Sequence, residues 1–323
     1  MSSMSYLAQR LLIAILLVFL VSFASFAVLM LLPGDPVRLM LGTEAPPHLV
    51  EELRAQYGLD RPWLLQYADW LAGAVSGNLG ESFIYKMPVT QIIVDRLPMT
   101  LSLTIFASLM ALLIALPLGI WAAVKRGSWV DGFIQAVVQI WIAIPNFWLG
   151  ILLLLGFTVM IPLFPPGNFV PISEGLGAHL HSLFLPALTL AIAEAAVLIR
   201  MFRASLVEVL NKDFMTFAHT KGLPTRKKYI RYALRNSLIG PITVIGLQVM
   251  SLISGVIIIE QIFNLPGLGR LLLIAVQQRD LFLLQGLVIF ITVTVILVNL
   301  CVDLLYTRID PRIQLHATKR RTT

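Results

Sequence analysis

Charged residues are scarce in this chain. Asp, Glu, Lys and Arg make up 13% of its 323 residues, whereas hydrophobic residues make up 58% and the mean hydropathy is +0.86. Soluble domains carry roughly 25% charged residues, and a soluble fold of this length exposes many of its residues to water. The low charge therefore excludes an ordinary soluble domain and indicates an integral membrane protein.

Cysteine and recognisable catalytic motifs are also lacking. Cys301 is the only cysteine, which excludes a disulfide framework or a thiolate metal cluster within one chain. The phosphate-binding pattern Gly-x-x-x-x-Gly-Lys-Ser/Thr is missing, so we expect no ATP hydrolysis by this chain. His179 and His181 form the one close His pair but have no third ligand nearby. We therefore expect no metal site, no cofactor and no enzymatic activity in this chain.

Six apolar runs are long enough to cross a bilayer, whose core of about 30 Å requires roughly 20 helical residues. The first run carries Ser25 and Ala27, an acceptable signal-peptide cleavage pair, but it continues through Leu32 and exceeds a typical signal core. We expect it to be retained, giving an all-α membrane protein with six transmembrane helices. The six runs lie near 11–32, 99–124, 133–161, 182–200, 238–262 and 285–307.

The basic residues gather on one side of these runs. The N-terminus, 125–132, 200–236 and the tail after 307 together hold 17 of the 24 Lys and Arg, and the other loops hold seven. Short loops rich in Lys and Arg stay in the cytoplasm, so we expect both termini there. This distribution accounts for the formal charge of +7 without nucleic acid as a partner.

The segments between the runs predict four regions. A small helical cap on the external side would contain two helices, the first starting at Pro47 and ending at Gly58 and the second starting near Pro62 and ending at Gly77. The aromatic side of the second helix would rest on the membrane surface or pack on the spans. The regions are 1–32 with the first span, the cap 33–98, the five-helix core 99–313 with its cytoplasmic loop 201–236, and a basic cytoplasmic tail 314–323.

Several polar residues interrupt the apolar spans. Such residues usually face a bundle interior or a cavity, so they are candidates for lining a substrate path or for hydrogen bonding between helices. Gln135, Gln139 and Asn146 are spaced by 4 and 7, which predicts one face of the third helix. Glu194 in the fourth span and Gln248 in the fifth complete the candidate path. A stripe of Gln285, Thr292, Asn299 and Asp303 on the sixth helix favours hydrogen bonding between helices.

The polar segment 200–241 is too long and too regularly patterned for a simple connection. Gly222 follows a predicted helix where a positive φ is often needed, Pro224 prevents its continuation, and a basic helix over 226–235 leads back to the membrane. An ordinary hairpin held near anionic lipid would fit this pattern. The two helices before Gly222 have one apolar face of Leu206, Val209 and Leu210 and another of Phe214, Phe217 and Ala218.

The same segment resembles the coupling loop of type I ABC importer permeases, in the dipeptide, oligopeptide and nickel transporter family. That loop reads Glu-Ala-Ala, three residues, then Gly. Ala218 and Gly222 match this pattern, whereas Thr216 stands at the acidic position. The pairs Asp213-Phe214 and Lys221-Gly222 are similar to the variant found in the peptide branch.

The resemblance extends from about Tyr6 to Ile313. No single fragment is specific, but many occur in the family's order. They are Leu32-Pro33-Gly34-Asp35-Pro36, Tyr57-Gly58-Leu59-Asp60-Arg61-Pro62, Asn78-Leu79-Gly80-Glu81-Ser82, Arg96-Leu97-Pro98-Met99-Thr100, Ala233-Leu234-Arg235-Asn236, Gly246-Leu247-Gln248, Glu260-Gln261-Ile262-Phe263, Pro266-Gly267-Leu268-Gly269, Arg279-Asp280, Asn299-Leu300 and Asp310-Pro311-Arg312.

The resemblance implies one half of a translocation pathway in a bacterial cytoplasmic (inner) membrane. The other half would be a second homologous permease, two cytoplasmic ATPase subunits would bind ATP and Mg, and an external binding protein would deliver the substrate. Residues 212–223 would dock on an ATPase. The implied coupling residues are Asp213, Phe214, Phe217, Ala218, Lys221 and Gly222.

The resemblance leaves the substrate open within one class of transporters. Di- and oligopeptides are the commonest substrates of the family, with nickel chelates and glutathione as alternatives. Two readings outside the family are an ion-gradient-driven secondary transporter, which usually has an inverted repeat, and a non-transporting scaffold. Dependence on ATP would separate the importer from both.

Overall fold

The computed structural model describes residues 3–31, 35–42, 45–165, 167–222, 224 and 228–309. Within them the regular structure is helical, with one isolated β-bridge between Glu81 and Pro88, so the predicted all-α class is confirmed there. Leu32, Pro33, Gly34, Arg226 and the tail from Asp310 onward lie outside the described residues. The main helices are α1 Ser3–Leu31, α2 Pro36–Leu41, α3 Pro47–Gln56, α4 Trp63–Val75, α5 Val89–Val124, α6 Trp129–Ala143, α7 Asn146–Leu154, α8 Leu176–Leu210, α9 Asp213–Thr220, α10 Ile239–Ile262, α11 Leu268–Gln277 and α12 Leu281–Ile309.

Four of these helices are long and apolar enough to cross a membrane over the residues that the structure describes. They are α1 over Leu12–Leu31, α5, α8 and α12 over Leu281–Val302. The pair of α6 and α7, with the π-helical turn Leu155–Met160 that continues α7, would be a fifth span bent by 97°. Helix α10, of 24 residues, coincides with the fifth predicted run. A helical membrane protein with several spans is therefore confirmed, and the number six stays a prediction.

The predicted third helix, 133–161, is not one straight helix. It breaks between α6 and α7, where Ile144 is extended with φ −83° and ψ 122° and Pro145 follows it. Proline has no N–H to donate to the preceding turn, and its ring disfavours helical geometry at the residue before it. The prediction that Asn146 shares a helix face with Gln135 and Gln139 is therefore wrong, because Asn146 begins a new helix.

The described residues group into two compact units. The first comprises the described residues up to Pro98 together with Pro266–Leu297, and the second comprises Met99–Leu265 together with the described residues from Val298 onward. In the first unit, the start of α5 packs with α11 and the start of α12 around Val89, Ile93, Leu271 and Leu283. A second cluster joins α1 to α4 through Phe26, Tyr67 and Trp70.

Helix α8 is the central element of the second unit, where it packs against α6, α7 and α10. Its buried surface includes Leu183, Leu190 and Ile199. Helix α5 approaches it closely at Gly119, where an added Cβ would lie 2.6 Å from the Cβ of Phe202. This contact requires glycine, because any side chain there would force the two helices apart.

Two buried carboxylates join motifs that are distant in the sequence. In the first unit, Ser82 Oγ donates to Asp280 Oδ2 at 2.6 Å, and Asp280 also accepts from the backbone N–H groups of Ile84 and Leu283. In the second unit, Thr100 Oγ1 donates to Glu260 Oε1 at 2.7 Å. Because a buried carboxylate is stabilised by such donors, these contacts give a structural reason for four of the fragments that carry the resemblance.

Candidate functional site

The predicted coupling segment forms a separate short helix, α9, after a tight turn from α8. Helix α8 ends at Leu210, and the N–H of its C-cap residue Asn211 bonds to the carbonyls of Glu208 and Val209. The carbonyl of Lys212 then accepts from the N–H groups of Met215 and Thr216 at the start of α9. Asn211 and Lys212 therefore separate the two helices, and α9 follows α8 as an element of its own.

The two faces of α9 differ in burial. Met215 and Ala218 are buried, and Met215 clusters with Leu206 and Val209 of α8. Phe214 and Phe217 are 39% and 59% exposed. The predicted face of Phe214, Phe217 and Ala218 is therefore wrong in one member, because Ala218 lies with Met215 on the inner side. Two phenylalanines remain as open apolar groups.

Charged residues stand at both ends of α9. Asp213 occupies the first turn, where a carboxylate interacts favourably with the helix dipole, and Lys221 follows the last turn, where a cation does so. The Nζ atom of Lys221 lies 4.6 Å from the centre of the Phe217 ring, within the range of a cation–π contact. The exposed side of α9 is thus apolar in its centre and carries one charge of each sign.

Gly222 ends this segment in the left-handed region, with φ 68°. The positive φ predicted from the sequence is confirmed. A Cβ added at Gly222 would meet no atom within 4 Å, so the backbone conformation, and not crowding, accounts for glycine here.

The candidate path residues all belong to the second unit but do not form one site. Gln139 and Asn146 are exposed, whereas Gln135 is half-buried and its Nε2 atom is buried without a hydrogen-bond partner. Gln248 Nε2 donates to the backbone carbonyl of Glu194 at 3.0 Å, so these two residues join α10 to α8. The structure therefore brings Glu194 and Gln248 together and leaves Gln139 and Asn146 open on α6 and α7.

Hydrogen bonding between helices accounts for one member of the polar stripe that was predicted on the sixth span, now α12. Gln285 is buried, with its Nε2 atom donating to the carbonyl of Ser22 at 2.7 Å and its Oε1 atom accepting from Ser25 Oγ at 2.7 Å. Thr292 bonds within its own helix, to the carbonyl of Val288. The side chain of Asp303 lies outside the described residues.

An ion pair that the sequence analysis missed joins α6 to α8. Arg203 donates from Nε and Nη2 to the two carboxylate oxygens of Asp131, both at 2.7 Å, and Asp131 also accepts from the N–H of Gly127 at 3.0 Å. The Asp131 side chain is only 7% exposed. In the sequence, Asp131 stands in the first turn of α6, shortly after Lys125 and Arg126. This position only weakly indicates an ion pair, and no spacing rule predicts Arg203 as the partner.

The first unit contains a cavity of about 240 Å³. Polar side chains of Tyr57, Arg61 and Asp69 and apolar side chains of Trp70 and Phe282 contribute to its walls. None of the predicted coupling or path residues lines it.

Two family models match this chain. The model described as "Binding-protein-dependent transport system inner membrane component" matches residues 115–315, which include α9. The model for the N-terminal part of the membrane component of binding-protein-dependent transport systems matches residues 3–104. Together they cover both units.

Curated relatives match over almost their whole lengths. A peptide transport system permease protein of Brucella abortus (strain 2308) is 38% identical over 301 residues, covering 93% of this chain and 96% of the relative. An oligopeptide transport system permease protein of Bacillus subtilis (strain 168) is 35% identical, and a glutathione transport system permease protein of Escherichia coli (strain K12) is 38% identical. Each of these two alignments covers 96% of this chain and 99% of the relative.

A solved structure supports the fold. An inward-facing structure of the MetNI methionine ABC transporter matches with a TM-score of 0.56 at 16% identity. The match covers 68% of this chain and 97% of that chain. At this identity the likeness concerns the arrangement of helices alone.

Proposed function

Because the chain belongs to the binding-protein-dependent transport system inner membrane component family, as the permease subunit of an ABC importer, we propose that it carries short peptides. We also propose that α9 transmits the conformational change driven by ATP hydrolysis to the spans. Two ATPase subunits, a second homologous permease and an external binding protein complete the assembly. The membrane is the bacterial cytoplasmic membrane, with six spans and both termini in the cytoplasm. The spans are α1, α5, the bent α6–α7 pair, α8, α10 and α12.

The exposed side of α9 is the observation that carries the coupling proposal. Phe214 and Phe217 are the kind of large apolar side chains that act as anchors when they enter a groove of a partner. Asp213 and Lys221 flank them and can pair with charges at the rim of such a groove. Met215 packs with Leu206 and Val209 of α8, so we expect a displacement of α9 to reach the spans through this contact.

Co-purification tests the coupling surface. We expect the tagged chain, extracted in mild detergent, to bring down an ATPase and a second permease in fixed ratio. The variant Phe214→Ala/Phe217→Ala should lose the ATPase and keep the second permease, because only the open apolar groups are removed. Thr216→Ala, an exposed change on the same helix, serves as the matched control. Retention of the ATPase by the double variant would overturn the assignment of α9.

The proposed substrate class rests on the relatives named for peptides and for glutathione, which is itself a tripeptide. Exposed amide groups such as that of Gln139 suit a peptide, since an amide both donates and accepts hydrogen bonds. We propose that Gln135, Gln139, Asn146, Glu194 and Gln248 line or support the path.

Uptake into proteoliposomes tests substrate and path. The assembled complex with its binding protein should accumulate labelled di- or oligopeptide only when ATP is supplied to the ATPase side; glutathione is the second candidate. Accumulation driven by an ion gradient without ATP would contradict the importer mechanism, and uptake of a nickel chelate in place of peptides would contradict the substrate class. Gln139→Leu should slow uptake, whereas Ile142→Leu, at an exposed apolar position of the same helix, should not.

A further inference from the structure

Helix α4 packs on the apolar part of α1 that is long enough to cross a membrane. Tyr67 hydroxyl lies 2.8 Å from Ser22 Oγ, a buried hydrogen bond between α4 and α1. Ser22 is ten residues from Leu12 and nine from Leu31, the two ends of the α1 span. At 1.5 Å per residue, it lies about 14 Å along the helix from Leu31, which is close to half of a bilayer core of about 30 Å.

Several contacts between aromatic rings of α4 and α1 support this position of α4 along α1. The Tyr67 ring lies 6.2 Å from Phe19, 5.3 Å from Phe23 and 5.4 Å from Phe26, measured between ring centres. Trp63 at the start of α4 lies 5.9 Å from Phe23. Phe23 and Phe26 lie in the outer half of the span Leu12–Leu31 and Phe19 lies just inside its midpoint, so α4 packs against the middle of that span.

The surface of α4 is divided into three faces. Trp63, Tyr67, Trp70 and Ala74 recur at helical spacing toward α1. Gln66 and Asp69 form a polar face, which the contact of Arg61 Nη1 with Asp69 Oδ2 at 2.8 Å extends. The third face consists of Leu64, Ala68, Leu71 and Val75, spaced by 4, 3 and 4.

Leu64, Ala68 and Val75 of this apolar face are exposed, whereas Leu71 is half-buried and packs on the cluster of Phe26, Tyr67 and Trp70. Leu64 is 54% exposed and Val75 is 84% exposed. The neighbouring surface of α1 is open in the same way, at Leu16, Phe19 and Leu20. A span exposes such side chains to lipid, and the open face of α4 continues that surface at the same depth.

We propose that α4 is inserted in the membrane beside α1, with its side of Leu64, Ala68 and Val75 in contact with lipid acyl chains. Its backbone groups are bonded within the helix, as hydrocarbon requires, and Gln66 and Asp69 line the cavity of the first unit together with Arg61. This assignment goes beyond transport: α4 is part of the lipid-contacting surface and not of a water-exposed cap.

Single-cysteine labelling tests this assignment in the full chain. Cys301, the only cysteine, is replaced by Ser, and Leu64→Cys and Val75→Cys are introduced singly. Asp69→Cys, on the polar face of the same helix, is the matched control. Glu52→Cys on α3 provides a water-exposed reference and Leu16→Cys on α1 a lipid-exposed one. Each variant, in the assembled complex in membranes, is treated with a membrane-impermeant maleimide and, separately, with a small fluorescent thiol label quenched by nitroxide-bearing lipids.

The outcomes separate lipid from water and from protein. We expect Leu64→Cys and Val75→Cys to react at least about tenfold more slowly with the impermeant maleimide than Asp69→Cys and Glu52→Cys, because burial in hydrocarbon excludes the reagent. Their labels should be quenched by nitroxide lipids as strongly as the label at Leu16→Cys. Rapid aqueous labelling would overturn the proposal. Slow labelling without lipid quenching would also overturn it, since a protein would then cover the face.

Discussion

Gly222 shows how one backbone angle connects α9 to the rest of the chain. Its φ is 68° and nothing crowds its Cα, so a substitution acts through conformation alone. A residue with a Cβ in the left-handed region costs roughly 1–2 kcal/mol, and a β-branched residue costs most. Gly222→Val should therefore change the exit from α9 and reduce ATPase co-purification and ATP-driven uptake, while membrane insertion stays normal.

Gly222→Asn is the matched control for this prediction. Asparagine tolerates the left-handed region better than other residues with a side chain, so it should retain most of the uptake. Normal transport by Gly222→Val would count heavily against the role of this turn in coupling. Equal loss in both variants would indicate that the side chain meets a partner, since Gly222 has open space around it in this chain.

Asp280 is a buried residue that accepts several hydrogen bonds in the first unit. Its carboxylate is fully buried and accepts from Ser82 Oγ and from the N–H groups of Ile84 and Leu283. Leaving buried donors without a partner costs about 1–3 kcal/mol each. We expect Asp280→Ala to lower the free energy of unfolding by at least about 3 kcal/mol, measured as a lower melting temperature in detergent.

Two variants check the reason for that loss. Asp280→Asn keeps one oxygen acceptor and should lose less stability than Asp280→Ala. Glu81→Ala removes an exposed carboxylate next to Ser82 and should change the melting temperature little. If Asp280→Ala melts like the unmodified protein, the buried hydrogen bonds contribute less than their burial indicates.

At the residue scale, conformation was easier to predict than burial. Gly222 follows a helix and stands two residues before Pro224, a pattern typical of a glycine at a helix end, so its positive φ followed from the sequence. The buried face of α9 could not be predicted in this way. Helical spacing groups Phe214, Phe217 and Ala218, but it also groups Met215 with Ala218, and it does not decide which group is buried. Which face turns inward depends on Leu206 and Val209 of α8, and thus on a tertiary contact.

Among elements, the ion pair of Asp131 and Arg203 fixes the start of α6 to α8, seven residues before α8 ends at Leu210. Removing one member of a buried pair leaves the other without compensation and costs several kcal/mol. Because Arg203 retains 27% exposure, we expect the lower end for Asp131→Ala, roughly 2–4 kcal/mol of unfolding free energy. Chemical or thermal unfolding in detergent measures it.

The chain offers an exposed ion pair as a control. Arg61 and Asp69 are 61% and 63% exposed, and exposed pairs contribute about 0–1 kcal/mol. Asp69→Ala should therefore have a much smaller effect than Asp131→Ala. A double-mutant cycle with Arg203→Ala should show strong coupling to Asp131→Ala, and additive losses in that cycle would contradict the proposed contact.

The existence of helices could be predicted where apolar runs were long, but the positions at which helices break could not. Pro145 interrupts the third run, whereas Pro186 lies inside α8, which continues as a single helix of 35 residues. Both have proline's missing N–H, and the difference depends on what packs around each. Local sequence therefore predicted the run 133–161 but not its bend of 97°.

At the scale of the whole molecule, the short sequence fragments that carry the family resemblance were informative before their contacts were known. Ser82 and Asp280 are 198 residues apart, and Thr100 and Glu260 are 160 residues apart. Periodicity cannot link positions so distant. The resemblance identified the family because it depends on the order of the fragments along the chain. The contacts that stabilise each unit could be identified only from the three-dimensional structure.

The number of spans depends on whether the bent pair of α6 and α7 crosses the membrane. If it crosses, the turn at Lys125 is cytoplasmic and the loop at Ser173 is external, as the charge distribution predicts. If it is re-entrant, both lie on one side and the chain has an odd number of spans. Lys125→Cys and Ser173→Cys, each exposed and each in the Cys301→Ser background, separate these cases in intact spheroplasts. We expect an impermeant maleimide to label Ser173→Cys directly and Lys125→Cys only after permeabilisation. Labelling of both without permeabilisation, or of neither, would exclude the six-span topology, because the charge-rich loop and the α7–α8 loop would then share one side.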